Sequence, residues 1–440
     1  MAVWSEVNFH EVAVSTRFDA EFYKPLYLRY ASLMQRGELL QTQATISHPT
    51  EVVRVYEEKG IQILLAQNIR ANRLDFSYSA FMSADMAYEL RRNLLQKNDV
   101  VMTRSGANYG DTAVYKGTPA EIYACADVLI LRPNDMPGGY LSTFFNTEMG
   151  RAILDRGAYG AAQPHIAPNY LNELKVLRFS SQEREIDSLV EAAYAKEEQS
   201  GELYGEAETL LLDALGLNNL NAMHSIAYER NFQEVARAGR FDAAYFSPRA
   251  QSALHIMRRS GKTLGDVAPL AKRKFKPQSG EEFHYIEIGD LGGDGHAEST
   301  SVAVEDAPSR AQWVVRPRDV ITSMVRPIRR LSALIEPKQN GFVCSSGFAV
   351  LKPRDVEPEI LLVYLRSPIV CEILDLHTTA TMYPAIATDT LLNIPFTAPE
   401  PAITKEIVSK VRASRAAHDD AQSLLESAKR RVEELIEEGA

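Results

Sequence analysis

Arg17-Phe18-Asp19-Ala20-Glu21-Phe22-Tyr23-Lys24-Pro25 is written a second time, as Arg240-Phe241-Asp242-Ala243-Ala244-Tyr245-Phe246-Ser247-Pro248. Five of the nine positions are identical and the aromatic pair is kept in kind. A self-match at long period decides the architecture before any single motif does. Further matches follow in the same order at separations near 220. Leu65-Ala66-Gln67-Asn68-Ile69 aligns with Glu287-Ile288-Gly289-Asp290-Leu291, and Asn98-Asp99-Val100-Val101-Met102-Thr103 with Arg318-Asp319-Val320-Ile321-Thr322-Ser323. Val128-Leu129-Ile130-Leu131-Arg132-Pro133 then matches Phe348-Ala349-Val350-Leu351-Lys352-Pro353, and Gln163-Pro164-His165-Ile166 matches Tyr383-Pro384-Ala385-Ile386. A constant order at a nearly constant offset makes the chain an internal duplication.

Each half follows one plan. The Phe-Asp-Ala segment leads into a short helix. Short β-branched runs separated by Gly, Pro and Asn come next and read as strands. An apolar-striped helix follows, over 141–155 in the first half and 359–376 in the second. Each half closes with a long charged helical stretch, 181–216 and about 401–438. Ile186, Leu189, Ala193, Leu203, Ala207 and Leu210 mark one apolar seam, interrupted by Lys196 and Ser200. Ile403, Ile407, Val411, Ala421, Leu425, Ala428, Val432 and Leu435 mark the other, interrupted by Ser414 and His418. Ser180 with Glu183 predicts a capping box at the first start, and Pro401 marks the second. One seam per helix calls for one partner, so the two are expected to pair antiparallel; the competing reading packs each on its own half. A helix of about 36 residues spans roughly 54 Å, more than one DNA turn of roughly 34–36 Å.

At 440 residues the chain exceeds what one core organises well, so two or more domains are expected. Apolar residues at 45% and charged residues at 24% give a soluble globular profile. No apolar run reaches the roughly 18 residues of a membrane span, and the acidic N-terminus is unlike a secretory signal. Cys125, Cys344 and Cys371 are far apart and lack a CxxC pair, which points away from zinc and toward a reduced cytoplasmic protein. The net charge of −10 counts against a simple polyanion binder. Local clusters matter more than the total, and they occur at Lys272-Arg273-Lys274-Phe275-Lys276 and from Arg326 to Arg330.

Two similar modules on a rigid spacer have the geometry of a reader of two half-sites. The candidate reading elements follow the matched strands. In Thr103-Arg104-Ser105-Gly106-Ala107-Asn108-Tyr109-Gly110, Arg104 and Asn108 carry side chains suited to bidentate contact with guanine and adenine. A plain surface turn is the alternative. Arg326, Arg329 and Arg330 occupy the equivalent place in the second half, against the alternative of a solvated basic loop. Gln163 could contact adenine and His165 phosphate, although a lone His is more often an ordinary polar residue; Thr381-Met382-Tyr383-Pro384 replaces them in the second half. Lys272, Lys274 and Lys276 could follow a DNA backbone or form a solvated turn. Arg70, Ser105, Tyr109 and Tyr383 complete the candidate contacts.

Catalytic signatures are missing. The glycine-rich run 289–295 lacks the ordered GxGxxG followed by a helix and reads as a hairpin. Gly261-Lys262-Thr263 lacks the first glycine of a phosphate loop, since Ile256 stands there. No HExxH, GxSxG or amino-methyltransferase Asn/Asp-Pro-Pro-aromatic tetrapeptide occurs.

The paired Arg-Phe-Asp-Ala openings, the segments 99–107 and 319–327, and Gln163-Pro164-His165-Ile166 ahead of Leu171 and Leu174 resemble the specificity subunits of type I restriction-modification enzymes. The resemblance covers nearly the whole chain. It implies an α+β fold with two repeated β-rich target recognition domains separated by two long helices forming an antiparallel coiled coil. The expected boundaries are 1–180 and 238–400 for the domains, 181–217 and 401–440 for the helices, and 218–237 for a linker. It implies a non-catalytic chain that reads a split, asymmetric site on double-stranded DNA, docks two methyltransferase subunits and joins a restriction translocase. S-adenosylmethionine, ATP and magnesium would belong to those partners, with no cofactor or metal in this chain. Tyr383 departs from the family's frequent Gln before the proline, and the acidic balance implies strong DNA affinity only within the assembly. Two alternatives stay open: a recognition subunit of another phage-defence complex, and a self-contained methyltransferase or nuclease with fused recognition domains.

Overall fold

The computed structural model describes residues 4–15, 17–76, 78–106, 108–160, 163–222, 227–293, 295–380 and 382–438. Ala107, Ala161, Ala162, Asp294 and Thr381, all within the loops singled out above, lie outside them. The chain forms two compact units, residues 1–198 with 417–440 and residues 199–416. The division falls inside the two long helices, so each unit holds part of both.

In the first unit, Val128–Pro133 lies between Ala44–Ser47 and Val100–Thr103, and Thr112–Val114 completes an antiparallel sheet. A second sheet orders Ala80–Met82, Ile61–Leu64 and Tyr123–Ala124, the last pair parallel. The second unit repeats both in part: an isolated bridge from Leu270 to Leu351 stands for the Ala44–Ser47 strand, and Ala311–Val314 adds a strand beside Val343–Ser345. Val320–Ser323 pairs with Ser332–Leu334 and Phe348–Leu351, and Glu282–Ile286 pairs antiparallel with Thr300–Ala303 and parallel with Val343–Ser345. The register repeats too: Val128 faces Thr103, and Phe348 faces Ser323.

These strands read as unbroken apolar runs because both faces are covered. Val100, Met102, Leu129 and Leu131 enter the core under the helices, while Val101, Val128 and Ile130 enter a second core between the sheets. Val320, Ala349 and Leu351 divide from Ile321, Phe348 and Val350 in the same way. Alternate side chains on a strand point to opposite faces, so each such strand feeds two cores.

The apolar-striped segments differ from expectation, each being two helices rather than one. Gly138–Asn146 gives way to Glu148–Gly157, and Pro358–Arg366 to Pro368–Asp375. Thr147 breaks the first by capping the amide of Gly150 at 3.1 Å. Pro368 breaks the second because it has no amide to donate.

The long helices run Gln182–Leu215 and Pro401–Glu438. The Ser180–Glu183 box does not form as expected: Glu183 accepts from the amide of Phe179 at 2.8 Å and from Arg178. The first seam is also rotated slightly. Val190, Tyr204 and Leu211 are the buried residues, and Leu189, Leu203 and Leu210 are half-buried beside them. In the first unit, Ile186 and Val190 share a core with Ala428, Val432 and Leu435. In the second, Tyr204, Ala207, Leu211 and Leu215 share one with Ile407 and Val411. Each seam thus packs on the other helix and on its globular unit at once. The pairing is antiparallel within each unit. Lys196 meets Asp420 at 2.9 Å and Glu197 meets His418 at 3.1 Å in the first, while Ser200 meets Ser414 at 3.1 Å and Glu206 pairs with Lys410 in the second. Of the polar interruptions, Ser200 and Ser414 meet each other, while Lys196 and His418 each find an acidic partner on the other helix.

Candidate nucleic-acid interface

The candidate loops after Thr103 and before Ile166 are far apart in sequence and adjacent in space. Ser105 and His165 form an isolated antiparallel bridge, and the amide of Ile166 donates to Arg104 O at 3.0 Å. Tyr159 and His165 exchange backbone hydrogen bonds of 3.0 and 2.8 Å, with their rings 5.7 Å apart. The second unit repeats these bonds 220 residues on. Val325 bridges Ala385, the amide of Ile386 donates to Met324 O at 2.9 Å, and Thr379 pairs with Ala385.

The side chains on this shared frame differ. Arg104 is half-buried, and its Nε and the Nδ1 of His165 are buried without a hydrogen-bond partner among the described residues. Ser105 is buried and donates to Asp127 at 3.3 Å. Asp127 also accepts from Arg54 at 2.7 Å. Burial alone would raise the Asp127 carboxyl, but the Arg54 hydrogen bond and charge, Ser105 and the charge of Arg104 outweigh it and hold the pKa below its ordinary value. Arg54 has no motif around it in the sequence. Only the fold, which brings it across to Asp127, marks it as part of this cluster. Asn108 and Gln163 are exposed at the two loop tips. Tyr109 is turned inward: its hydroxyl donates to Asp155 at 2.7 Å, and burial followed by that bond pushes its pKa up to about 12.

In the second unit Arg326 stacks over the exposed ring of Tyr383 at 5.3 Å and donates to Met382 O at 3.1 Å. Arg326 and Arg330 both hold left-handed backbone, with φ of 51° and 62°. Such conformations are uncommon for side chains with a Cβ and cluster at functional sites. Arg329 is exposed. Arg330 is committed internally, to Glu208 and the carbonyl of Arg366.

The remaining candidates stand on other elements. Arg70 lies on the hairpin of Ile69–Arg70 with Arg73–Leu74 and donates to Gln67 O and Ile69 O at 2.9 and 3.0 Å. The run from Ala271 to Lys276 alternates in burial. Arg273 binds Asp319 and Val314 O, Phe275 packs on Phe283 at 4.6 Å, and Lys272, Lys274 and Lys276 are exposed. Among the described residues no three or more His, Cys, Asp or Glu gather as a metal site, and no helix is long and apolar enough to cross a membrane.

No protein-family model matches the chain, and no curated protein does. Solved structures are similar to it over most of their length. The type I restriction-modification S subunit from M. genitalium is 10% identical over 91% of this chain and 95% of its own, with a TM-score of 0.39. A chain from a study of type I R-M complex assembly and conformational transition is 15% identical over 92% and 97%, with a TM-score of 0.28. The HsdS subunit from Thermoanaerobacter tengcongensis is 16% identical over 92% and 95%, with a TM-score of 0.27. Two of these three neighbours are type I restriction-modification S (HsdS) subunits, and the third belongs to a type I R-M system.

Proposed function

We propose that this chain is the DNA sequence-recognition subunit of a type I restriction-modification complex. It reads a bipartite, asymmetric site on double-stranded DNA, docks two methyltransferase subunits and carries no active site of its own. The observation that carries this reading is the pair of loop junctions. The same main-chain bonds hold Ser105 to His165 and Val325 to Ala385, yet the side chains presented there are Arg104, Asn108 and Gln163 in one unit and Arg326, Arg329 and Tyr383 in the other. A repeated frame with divergent tips fits two half-sites of different sequence. Arg326 on Tyr383 offers a guanidinium for a guanine edge or a phosphate, and the outward row Lys272, Lys274 and Lys276 suits a phosphate backbone. The recognition domains are proposed at 1–180 and 238–400, joined by residues 218–237 and carried on the helices at 181–217 and 401–440. S-adenosylmethionine, ATP and magnesium would act in the methyltransferase and restriction subunits. The complex would work in the cytoplasm, in phage defence.

Co-expression with the methyltransferase encoded beside it, followed by sequencing of methylated positions in host DNA, tests the reading. The expected result is a split motif that disappears when this chain is omitted. Methyl transfer by the purified chain alone, or no change in methylation, would overturn it.

A further inference from the structure

The duplication extends beyond the Arg-Phe-Asp-Ala openings. Asn8-Phe9-His10-Glu11-Val12-Ala13 precedes the first and Asn231-Phe232-Gln233-Glu234-Val235-Ala236 the second, at the same offset of 223. From Asn8 to Pro25 against Asn231 to Pro248, ten of 18 positions are identical without a gap: Asn, Phe, Glu, Val, Ala, Arg, Phe, Asp, Ala and Pro. Thr16 lies outside the described residues. Both copies fold alike. A short helix, Phe9–Ser15 or Phe232–Ala238, has no buried residue. Arg17 clamps Asp19 at 2.6 and 3.0 Å, and Arg240 clamps Asp242 at 2.8 and 2.7 Å. An arginine ties each segment to its unit: Arg156 donates to Phe22 O at 3.1 Å, and Arg240 donates to Leu376 O.

The retained aromatics divide into two kinds. Phe22, Tyr23 and Phe246 are buried, and packing accounts for them. Phe9 and Phe18 are each 82% exposed, and Phe232 and Phe241 are 75% and 81% exposed. Packing within the unit gives no reason to keep these four. Single exposed apolar residues need no explanation, but the same two kept in both copies of a diverged duplication point to a shared contact. Charge selects the kind of partner. Glu11, Asp19 and Glu21 against Arg17 and Lys24 leave the first copy at −1, and Glu234 and Asp242 against Arg237 and Arg240 leave the second neutral. Arg17 and Arg240 are also occupied by their aspartates. A polyphosphate backbone calls for the opposite balance. A protein surface with an apolar pocket for an aromatic anchor fits.

We propose that Phe9 with Phe18, and Phe232 with Phe241, are the anchors of two equivalent docking sites for two copies of one partner polypeptide. Resting on the function proposed above, that partner is the methyltransferase subunit. The full chain, co-expressed with the methyltransferase, is weighed by native mass spectrometry. Wild type should carry two copies, F9A/F18A one, F232A/F241A one, and the fourfold variant none. Tyr88→Ala, at an exposed aromatic without a counterpart in the other half, should still carry two. Thermal melts should superimpose on wild type, and F18L with F241L, which keep apolar bulk, should retain part of the binding. Two methyltransferases on the fourfold variant at wild-type affinity would overturn the docking sites while leaving the recognition role standing. So would variants that keep both methyltransferases and lose DNA affinity, since the surface would then belong to nucleic acid. A wild-type chain that takes up no methyltransferase would overturn the recognition reading itself, and the docking sites with it.

Discussion

Arg366 is 2% exposed, and its described partners are all neutral. It donates to Tyr204 Oη at 2.9 Å, to Arg330 O at 3.0 Å, to Ser332 O at 3.2 Å and to Gly293 O. It thereby ties the long helix to the loop that carries Arg326 and Arg329. Replacing it by methionine keeps most of the volume and removes every donor. Hydrogen bonds to a charged group contribute about 1.5–3 kcal/mol each, so four amount to a gross of roughly 6–12 kcal/mol. Holding a cation out of water costs several kcal/mol, which leaves a net loss of about 3–5 kcal/mol for Arg366→Met. Urea unfolding reads it directly. The chain has two tryptophans, and while Trp4 is 75% exposed in the first unit, Trp313 is half-buried in the second, so its fluorescence follows the unit that contains Arg366. The midpoint should fall at unchanged slope. Arg366→Lys, which restores the charge without the planar fork, should recover less than half of the loss. A methionine variant within about 1 kcal/mol of wild type, or more stable, would refute the reasoning, because desolvation would then outweigh the bonds.

Other outcomes follow from the same geometry. Asn146 stands 220 residues before Arg366 and donates to Thr112 O, Asn72 Oδ1 and Ser142 O at 2.7, 3.0 and 2.8 Å. Its bonds are neutral, at about 0.5–1.5 kcal/mol each, so Asn146→Ala should cost about 2–3 kcal/mol by urea unfolding. Ser200→Ala or Ser414→Ala alone should cost about 1 kcal/mol, and the double change should be nearly neutral, since no polar atom is then left unpaired. Cys125, Cys344 and Cys371 are buried, and burial pushes the Cys344 and Cys371 thiols up to about 12, so a thiol reagent at pH 8 should label them only on unfolding. The hydrogen bond from Arg17 holds the Asp19 carboxyl below its ordinary value. That contribution is complete above the unfolded pKa of about 4 and is lost as pH falls through the lower folded value. Hydrogen exchange of the Phe18 turn should accelerate over that acid range, and not in Asp19→Asn. Arg104→Ala and Arg326→Ala should each weaken reading of one half-site by about 1–3 kcal/mol, seen as relaxed methylation at that half alone.

The duplication, the strands after Asp99 and Asp319 and both long helices were legible in the sequence because each rests on a local pattern: periodicity, a turn residue or a repeated word. What escaped depends on distant partners. A seam through Leu189, Leu203 and Leu210 satisfies helical spacing as well as one through Val190, Tyr204 and Leu211; the neighbouring sheet and helix choose between them. Thr147 reads as an ordinary helical residue until its hydroxyl takes the amide of Gly150. Arg330 reads as one more base in a basic loop, yet its guanidinium is taken by Glu208, 122 residues earlier. The same holds for Arg54, which acquires meaning only beside Asp127. Such pairings between residues far apart in sequence leave no periodic trace along it.

If the loops read DNA as proposed, their junctions explain how one frame could carry two different readers. Among the described residues, main-chain bonds hold the first loop to the segment before Ile166, from Ile166 to Arg104 and between Tyr159 and His165; the second unit repeats these main-chain bonds and adds one from the Arg326 side chain to Met382 O. Backbone amides and carbonyls are present whatever the side chain, so Ser105 against Val325 and His165 against Ala385 change what the junction displays without changing how it is held. Side-chain bonds do the opposite work one layer below. Asp99 and Asp319 close the same turn onto Gln96 and Arg316 at 2.8 and 2.7 Å, behind left-handed residues Asn98 and Arg318 at φ of 74° and 70°. There the aspartate is needed, and it is the same in both halves. Between the two halves, Ser105 and His165 give way to Val325 and Ala385 where the main chain does the holding, and the aspartate is kept where its side chain does.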